Sequence, residues 1–124
     1  MRFLTIYKTD AAGTSRNESG DPPTQREMEE MGRFIEELSV AGKLLTTEGC
    51  RPSSEGARVR LAGGTVTVTD GPVTEVKELV GGFAILQAES KEEAIELSRR
   101  FLTVAGDGEC EIRLLHEAPA LAPR

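Results

Sequence analysis

Tryptophan is absent from this 124-residue chain, histidine and tyrosine occur once each, and cysteine occurs twice. A lone His116 cannot assemble a zinc site of the usual His/Cys kind. Cys50 and Cys110 stand far apart with no Cys-x-x-Cys pair, so they read as buried strand thiols, not as a disulfide framework or redox motif. Aromatic residues make up 4% of the chain and do not interleave with basic clusters, which argues against single-strand nucleic-acid binding. Positive charge is also short: fifteen Lys and Arg against twenty-one Asp and Glu leave a net charge of -6, so phosphate backbones find no attractive field. No apolar run approaches the ~20 residues that span a bilayer. The opening Met1–Lys8 alternates and meets charge too early for a signal peptide. Neither Gly-x-Ser-x-Gly nor a phosphate-binding glycine loop occurs. These absences predict one cytoplasmic domain without metal, cofactor, membrane or direct nucleic-acid contact.

What is present is ordinary globular composition, 38% hydrophobic and 29% charged, in a chain long enough for its own core. Residues 2 to 8 read as a strand, with Leu4 and Ile6 on one face and Phe3, Thr5 and Tyr7 on the other. A polar, turn-rich stretch from Asp10 to Pro23 reads as a long loop. Thr24 with Glu27 forms a capping-box signature ahead of a helix whose apolar stripe is Met28, Met31, Phe34, Ile35 and Leu38, closed by Gly42. Lys43–Thr47 reads as a short strand. Arg58–Leu61 and Thr65–Thr69 flank Ala62-Gly63-Gly64 as a tight hairpin. After an extended segment from Val73, Val80–Ala88 is a strand apolar on both faces. Ser90 and Glu93 open a second helix with Ala94, Ile95, Leu97 and Phe101 as its stripe, and Glu109–His116 is the last strand. The domain runs over residues 1–117, with a frayed tail at 118–124.

The resulting order, β-α-β-β-β-β-α-β, is a ferredoxin-like split β-α-β sandwich with an inserted β-hairpin, an α+β fold. Both helices would cover one face of the sheet. Either Phe3, Tyr7, Phe83 and Ile85 or their neighbours Leu4, Ile6, Ala84 and Leu86 would then point to the bare face. That face is covered by the long loop or, the preferred reading, by a second copy packed sheet to sheet in a homodimer enclosing a partly polar cleft.

The string DGPVTEVKELVGGFAILQAESKEEAIELSRRF resembles the signature of the DGPF-domain family within the YCII-related proteins. Glu111-Ile112-Arg113-Leu114 is similar to that family's closing Glu-x-Arg segment, and Gly49–Pro52 to its Gly-Leu-x-Pro region. Val73 stands where the family has Phe, and Cys50 where it has Leu. The resemblance spans nearly the whole chain and implies a dimeric α+β barrel without naming a reaction. Acid/base chemistry by a His/Asp pair is suspected in the wider group; here Asp70 has no histidine near it in sequence, and His116 reads as a core or rim residue.

Three functions follow as expectations. One is a module binding a small polar or acidic metabolite in the inter-sheet cleft, its ligand-facing residues being Tyr7, Glu75, Lys77, Glu78, Gly82 and Arg113. Lys77 and Arg113 would neutralise a ligand carboxylate, and Asp70 and Glu75 would orient it. A second is a cofactor-free isomerase- or oxygenase-like enzyme with Asp70 or Glu111 as general base, its carboxyl raised by burial. A structural Glu111–Arg113 ion pair is the competing account of those residues. A third, implied by the resemblance alone, is a regulatory partner of an extracytoplasmic-function sigma factor.

Overall fold

Alternating side chains make the first segment β1 (Arg2–Thr9), in a computed structural model that describes residues 1–9, 22–71 and 79–117. The expected loop over 10–21, the segment 72–78 and the tail 118–124 lie outside the described residues. Helix α1 (Gln25–Val40) begins where the sequence signals it. Thr24 Oγ1 accepts the Glu27 N–H at 3.1 Å, and the Glu27 carboxylate accepts the Thr24 N–H at 3.2 Å. Gly42, at φ +73°, ends it in a Schellman turn: Lys43 N–H donates to Leu38 O at 2.9 Å and Gly42 N–H to Ser39 O at 3.1 Å. There follow β2 (Leu44–Gly49), a 3-10 turn (Ser53–Glu55), and the hairpin β3 (Ala57–Ala62) and β4 (Thr65–Asp70). Gly63 and Gly64 turn the hairpin with φ of +57° and +80°, a geometry that side-chain-bearing residues adopt only with strain. The chain closes with β5 (Val80–Gln87), α2 (Lys91–Ala105) and β6 (Gly108–Leu114). Ser90 caps α2 by accepting the Glu93 N–H, but the Glu93 carboxylate does not return to Ser90. The Lys43 ammonium at 3.0 Å and the Glu89 N–H at 3.0 Å hold it instead, tying the exit of α1 to the start of α2.

Four strands form one antiparallel sheet in the order β2-β5-β1-β6, while β3 and β4 pair with each other in a second, two-stranded sheet among the described residues. This is the ferredoxin-like order with a hairpin inserted between β2 and β5. The register corrects the expected faces. Phe3 pairs with Leu86 and Leu4 with Ile85, so odd positions of β1 share a side with even positions of β5. Phe3, Thr5, Tyr7, Gly82, Ala84 and Leu86 face the helices. Leu4, Ile6, Phe83 and Ile85 form the helix-free face, a mixture of the two sets the alternation alone allowed.

Two small clusters make the core: Phe3, Ala88 and Ala94 with Ile112 against them, and Leu38, Leu86 and Leu97 with Phe34, Leu44 and Ala84 against them. Ser98 takes the buried place expected for Ile95, which is 39% exposed, because residues 94, 97, 98 and 101 line the inner side of α2. The cysteines depart from expectation too. Cys50 follows the end of β2 and is exposed, and Cys110 is half-buried in β6. His116 is exposed beyond the end of β6, with its backbone carbonyl accepting from the Arg2 guanidinium at 3.2 Å.

Candidate functional site

Along the helix-facing side of β5 the residues shrink from Leu86 to Ala84 to Gly82, and along β2 from Leu44 through Thr47 to Gly49. Large side chains fill the Phe3–Leu86 end of the sheet against the helices; toward the opposite end β2 and β5 offer only small residues, and Tyr7 of β1 is the bulky side chain beside them. Gly82 cannot be larger, since a Cβ there would lie 2.7 Å from the Glu48 carbonyl oxygen of the adjoining strand. In α1, Gly32 adds no side chain, and nothing stands within 4 Å of where its Cβ would be. The outcome is a cavity of about 890 Å³ between the sheet and both helices.

Its walls are mainly apolar. Met28, Met31, Phe34 and Ile35 of α1, expected as core, line this space; of the α1 stripe only Leu38 is buried. Phe101 and Val104 line it from α2. Its polar lining residues are Glu27, Thr47, Glu48 and Asp107 together with Tyr7, Thr5, Ser98 and Cys110. Thr5 Oγ1 and Ser98 Oγ lie 3.3 Å apart, with Ser98 only 5% exposed, and the Cys110 thiol lies beside Thr5. Burial pushes the Cys110 thiol above its usual range, the Thr5 hydrogen bond opposing and the Glu109 charge adding to that push, so the thiol stays protonated near neutrality. Tyr7 stands at one side with its hydroxyl donating to Asp107 O at 3.0 Å. Its ring meets Phe101 edge-on, centroids 5.2 Å apart. It also passes so near Gly108 that a Cβ there would be 2.5 Å from Cε1.

The residues singled out from sequence fall into separate places. Tyr7 and Gly82 line the cavity. Glu111 and Arg113 project from β6 on the helix-free face, since they pair with Ile6 and Leu4. There Glu111 accepts from Lys8 Nζ at 2.9 Å and from Arg113 at 3.2 Å. The bond from Lys8, with that from Arg113 and both positive charges, holds the Glu111 carboxyl below the usual carboxylate range. This is opposite to the raised carboxyl expected of a general base, and the ion-pair account describes the geometry. Asp70 ends β4 on the outlying hairpin, exposed and opposite Ala57. Glu75, Lys77 and Glu78 lie outside the described residues. The hydroxyls of Thr5 and Ser98 were not anticipated; the taper from Leu86 to Gly82 and the glycine inside α1 were the available signals. Among the described residues no three His, Cys, Asp or Glu side chains gather as metal ligands, and no helix is long and apolar enough to cross a membrane.

A family model described as the YCII-related domain matches residues 1–117. No curated protein matches the chain. Among solved structures, the chain is similar to 5-chloro-2-hydroxyhydroquinone dehydrochlorinase (TftG) from Burkholderia phenoliruptrix, determined in complex with 2,5-dihydroxybenzoquinone. The TM-score is 0.50 and the identity 18%, over 95% of this chain and 96% of that one. At that identity the likeness speaks for the shared ferredoxin-like α+β fold.

Proposed function

This chain belongs to the YCII-related domain family, and from that premise we propose that it binds a small, flat, largely apolar molecule bearing one or two hydrogen-bonding groups. The observation that carries this reading is the helix-side cavity: about 890 Å³, walled by Met, Phe and Ile side chains, with the Thr5–Ser98 hydroxyl pair on its floor. Volumes of this order suit small-molecule sites, and an apolar wall with a few placed polar groups is their usual construction. Methionines adapt their shape to an inserted ring, and either hydroxyl can rotate to donate or accept. The reading differs from a metabolite carboxylate held by Arg113, whose guanidinium is engaged by Glu111 on the other side of the sheet. Binding is the reading the apolar walls support directly; acid/base chemistry in the same space would fall to Glu27, Glu48 or Asp107, of which Glu27 is engaged in capping α1.

Tyr7 is the single tyrosine in a chain without tryptophan, so its emission reports directly on the cavity. Titration with 2,5-dihydroxybenzoquinone and with simple phenols, followed by Tyr7 fluorescence and calorimetry, is expected to show saturable binding. Gly32→Phe should abolish it while leaving the fold intact, and Ser98→Ala should weaken it. Absence of saturable binding across such a panel, or equal binding by Gly32→Phe, would refute the cavity as the site.

The homodimer belongs here as well. Leu4, Ile6, Phe83 and Ile85 make an apolar strip along the helix-free face, Phe83 37% exposed and the other three half-buried. That strip supports sheet-to-sheet packing with a second copy. Assignment to the DGPF subgroup rests on the motif beginning at Asp70-Gly71-Pro72.

A further inference from the structure

Thr5 and Ser98 stand where the folding pattern calls for apolar side chains. Thr5 lies between Phe3 and Tyr7 on the helix-facing side of β1, and Ser98 lies between Leu97 and Phe101 on the inner side of α2, only 5% exposed. Their hydroxyls meet at 3.3 Å, beyond the roughly 2.5–3.0 Å of an ordinary O–H···O bond, so each holds the other only loosely. Thr103, also on α2, donates to the Arg99 carbonyl one turn back at 3.1 Å; Ser98 has no partner of that kind among the described residues. Two hydroxyls carry two protons, and the bond between them uses one. For the other, the Cys110 sulfur beside Thr5 is within reach, but sulfur is a weak acceptor. The neighbour of Thr5 on β5 is Ala84, followed by Gly82, so the pair opens onto the cavity.

We propose that the Thr5–Ser98 pair recognises a carbonyl oxygen, and that the ligand of this cavity is an uncharged ring compound carrying a ketone or similar carbonyl group. This rests on the binding reading above and names the ligand class within it. A carbonyl oxygen accepts without donating, so it takes the spare hydroxyl proton and brings no donor of its own that would need a partner. A buried hydroxyl that is poorly bonded is unfavourable, and a ligand oxygen relieves that on binding. Charge excludes the other strong acceptor, a carboxylate. The charged residues lining the cavity, among those described, are Glu27, Glu48 and Asp107, all acidic. An anion would give up its hydration there with no counter-charge to replace it. Leu86, Leu97 and Phe101 line the same space and supply apolar surface for the ring.

Acetophenone and α-methylstyrene, which differ by a carbonyl against a methylidene group, test this with the full chain. The comparison variant is Thr5→Val/Ser98→Ala, which removes both hydroxyls and keeps nearly the same shape, an exchange close to neutral for folding. Between parent and variant the ratio of the two affinities should shift at least about tenfold against the ketone, ligand hydration cancelling because the same two compounds are used. The C=O stretching band of bound acetophenone, read by infrared difference spectroscopy, should lie lower in the parent than in the variant. An unchanged ratio, or a band at the same position in both proteins, overturns the carbonyl assignment; saturable binding of both compounds would then still uphold the cavity as a site. Failure of both compounds to bind removes the two readings together. If the variant misfolds, the parent decides: a band where acetophenone absorbs in hydrocarbon solvent overturns the proposal, and a lowered band sustains it.

Discussion

Gly32 and Gly82 face the same cavity for opposite reasons, and substitutions should separate them. A Cβ at Gly32 meets nothing within 4 Å inside a helix, so Gly32→Ala should stabilise by about 1 kcal/mol through helix propensity and reduced unfolded-state entropy. At Gly82 the Glu48 carbonyl would stand 2.7 Å from the new methyl, with strand backbone that cannot yield cheaply. Gly82→Ala should therefore destabilise by about 1–3 kcal/mol. Urea unfolding of both variants checks the pair, and equal signs would contradict this account. Charge offers a second test. Glu111 has a folded pKa lowered below its ordinary 4.5 by Lys8 and Arg113, so its contribution is present above that value and is lost as pH falls through the folded pKa. Glu93, lowered by the Glu89 N–H and by Lys43, acts in the same window. Lys8, raised above 10.5 by Glu111, contributes fully below that value and loses its share only as pH rises past it. Glu111→Gln should thus flatten the acid limb of a stability–pH profile while leaving Glu93's part in place.

The elements follow local rules closely enough to be tested one by one. Thr24→Ala removes the hydroxyl that accepts the Glu27 N–H and should cost about 1 kcal/mol, seen as a melting temperature lowered by a few degrees. The capping box, the Gly42 turn and the Gly63-Gly64 hairpin were legible because each depends on a few consecutive residues and on backbone sterics. Ser90–Glu93 was legible only in part. The Ser90 hydroxyl does its local work, but Glu93 answers to Lys43, fifty residues away, which no local pattern reports. Ile95 was misplaced for a related reason: both 94/97/98/101 and 94/95/97/101 fit a helical stripe, and the packing of α2 on the sheet selects the one containing Ser98.

For the whole molecule, the Phe3–Ala88–Ala94 cluster packs at one end of the sheet, and the Leu38–Leu86–Leu97 cluster borders the cavity that extends toward Gly82. Leu86, 3% exposed between Leu38 and Leu97, holds the filled end. Leu86→Ala should cost about 2–5 kcal/mol in chemical denaturation, far more than truncating Met28 at the cavity wall, 55% exposed. Ile85→Asp places a charge on the helix-free face without touching that core, since it pairs with Leu4. It should leave the monomer folded and, on the homodimer reading, shift light-scattering mass from two chains to one. A dimer unaffected by that charge would mean the sheets do not meet through Ile85.

Strand and helix order, the caps, the hairpin turn and the split β-α-β succession were determined by the sequence itself, because each is dictated by side-chain period and backbone sterics over a few residues. Tertiary structure alone decided which strand positions share a face, since an antiparallel register couples Phe3 to Leu86 and not to Ile85. It also turned four of the five residues of an apparent core stripe on α1 into a cavity wall, because the residues on β5 taper to glycine. Apolar periodicity says that a side chain turns inward; only the size of what lies across from it determines whether it meets another side chain or an open space.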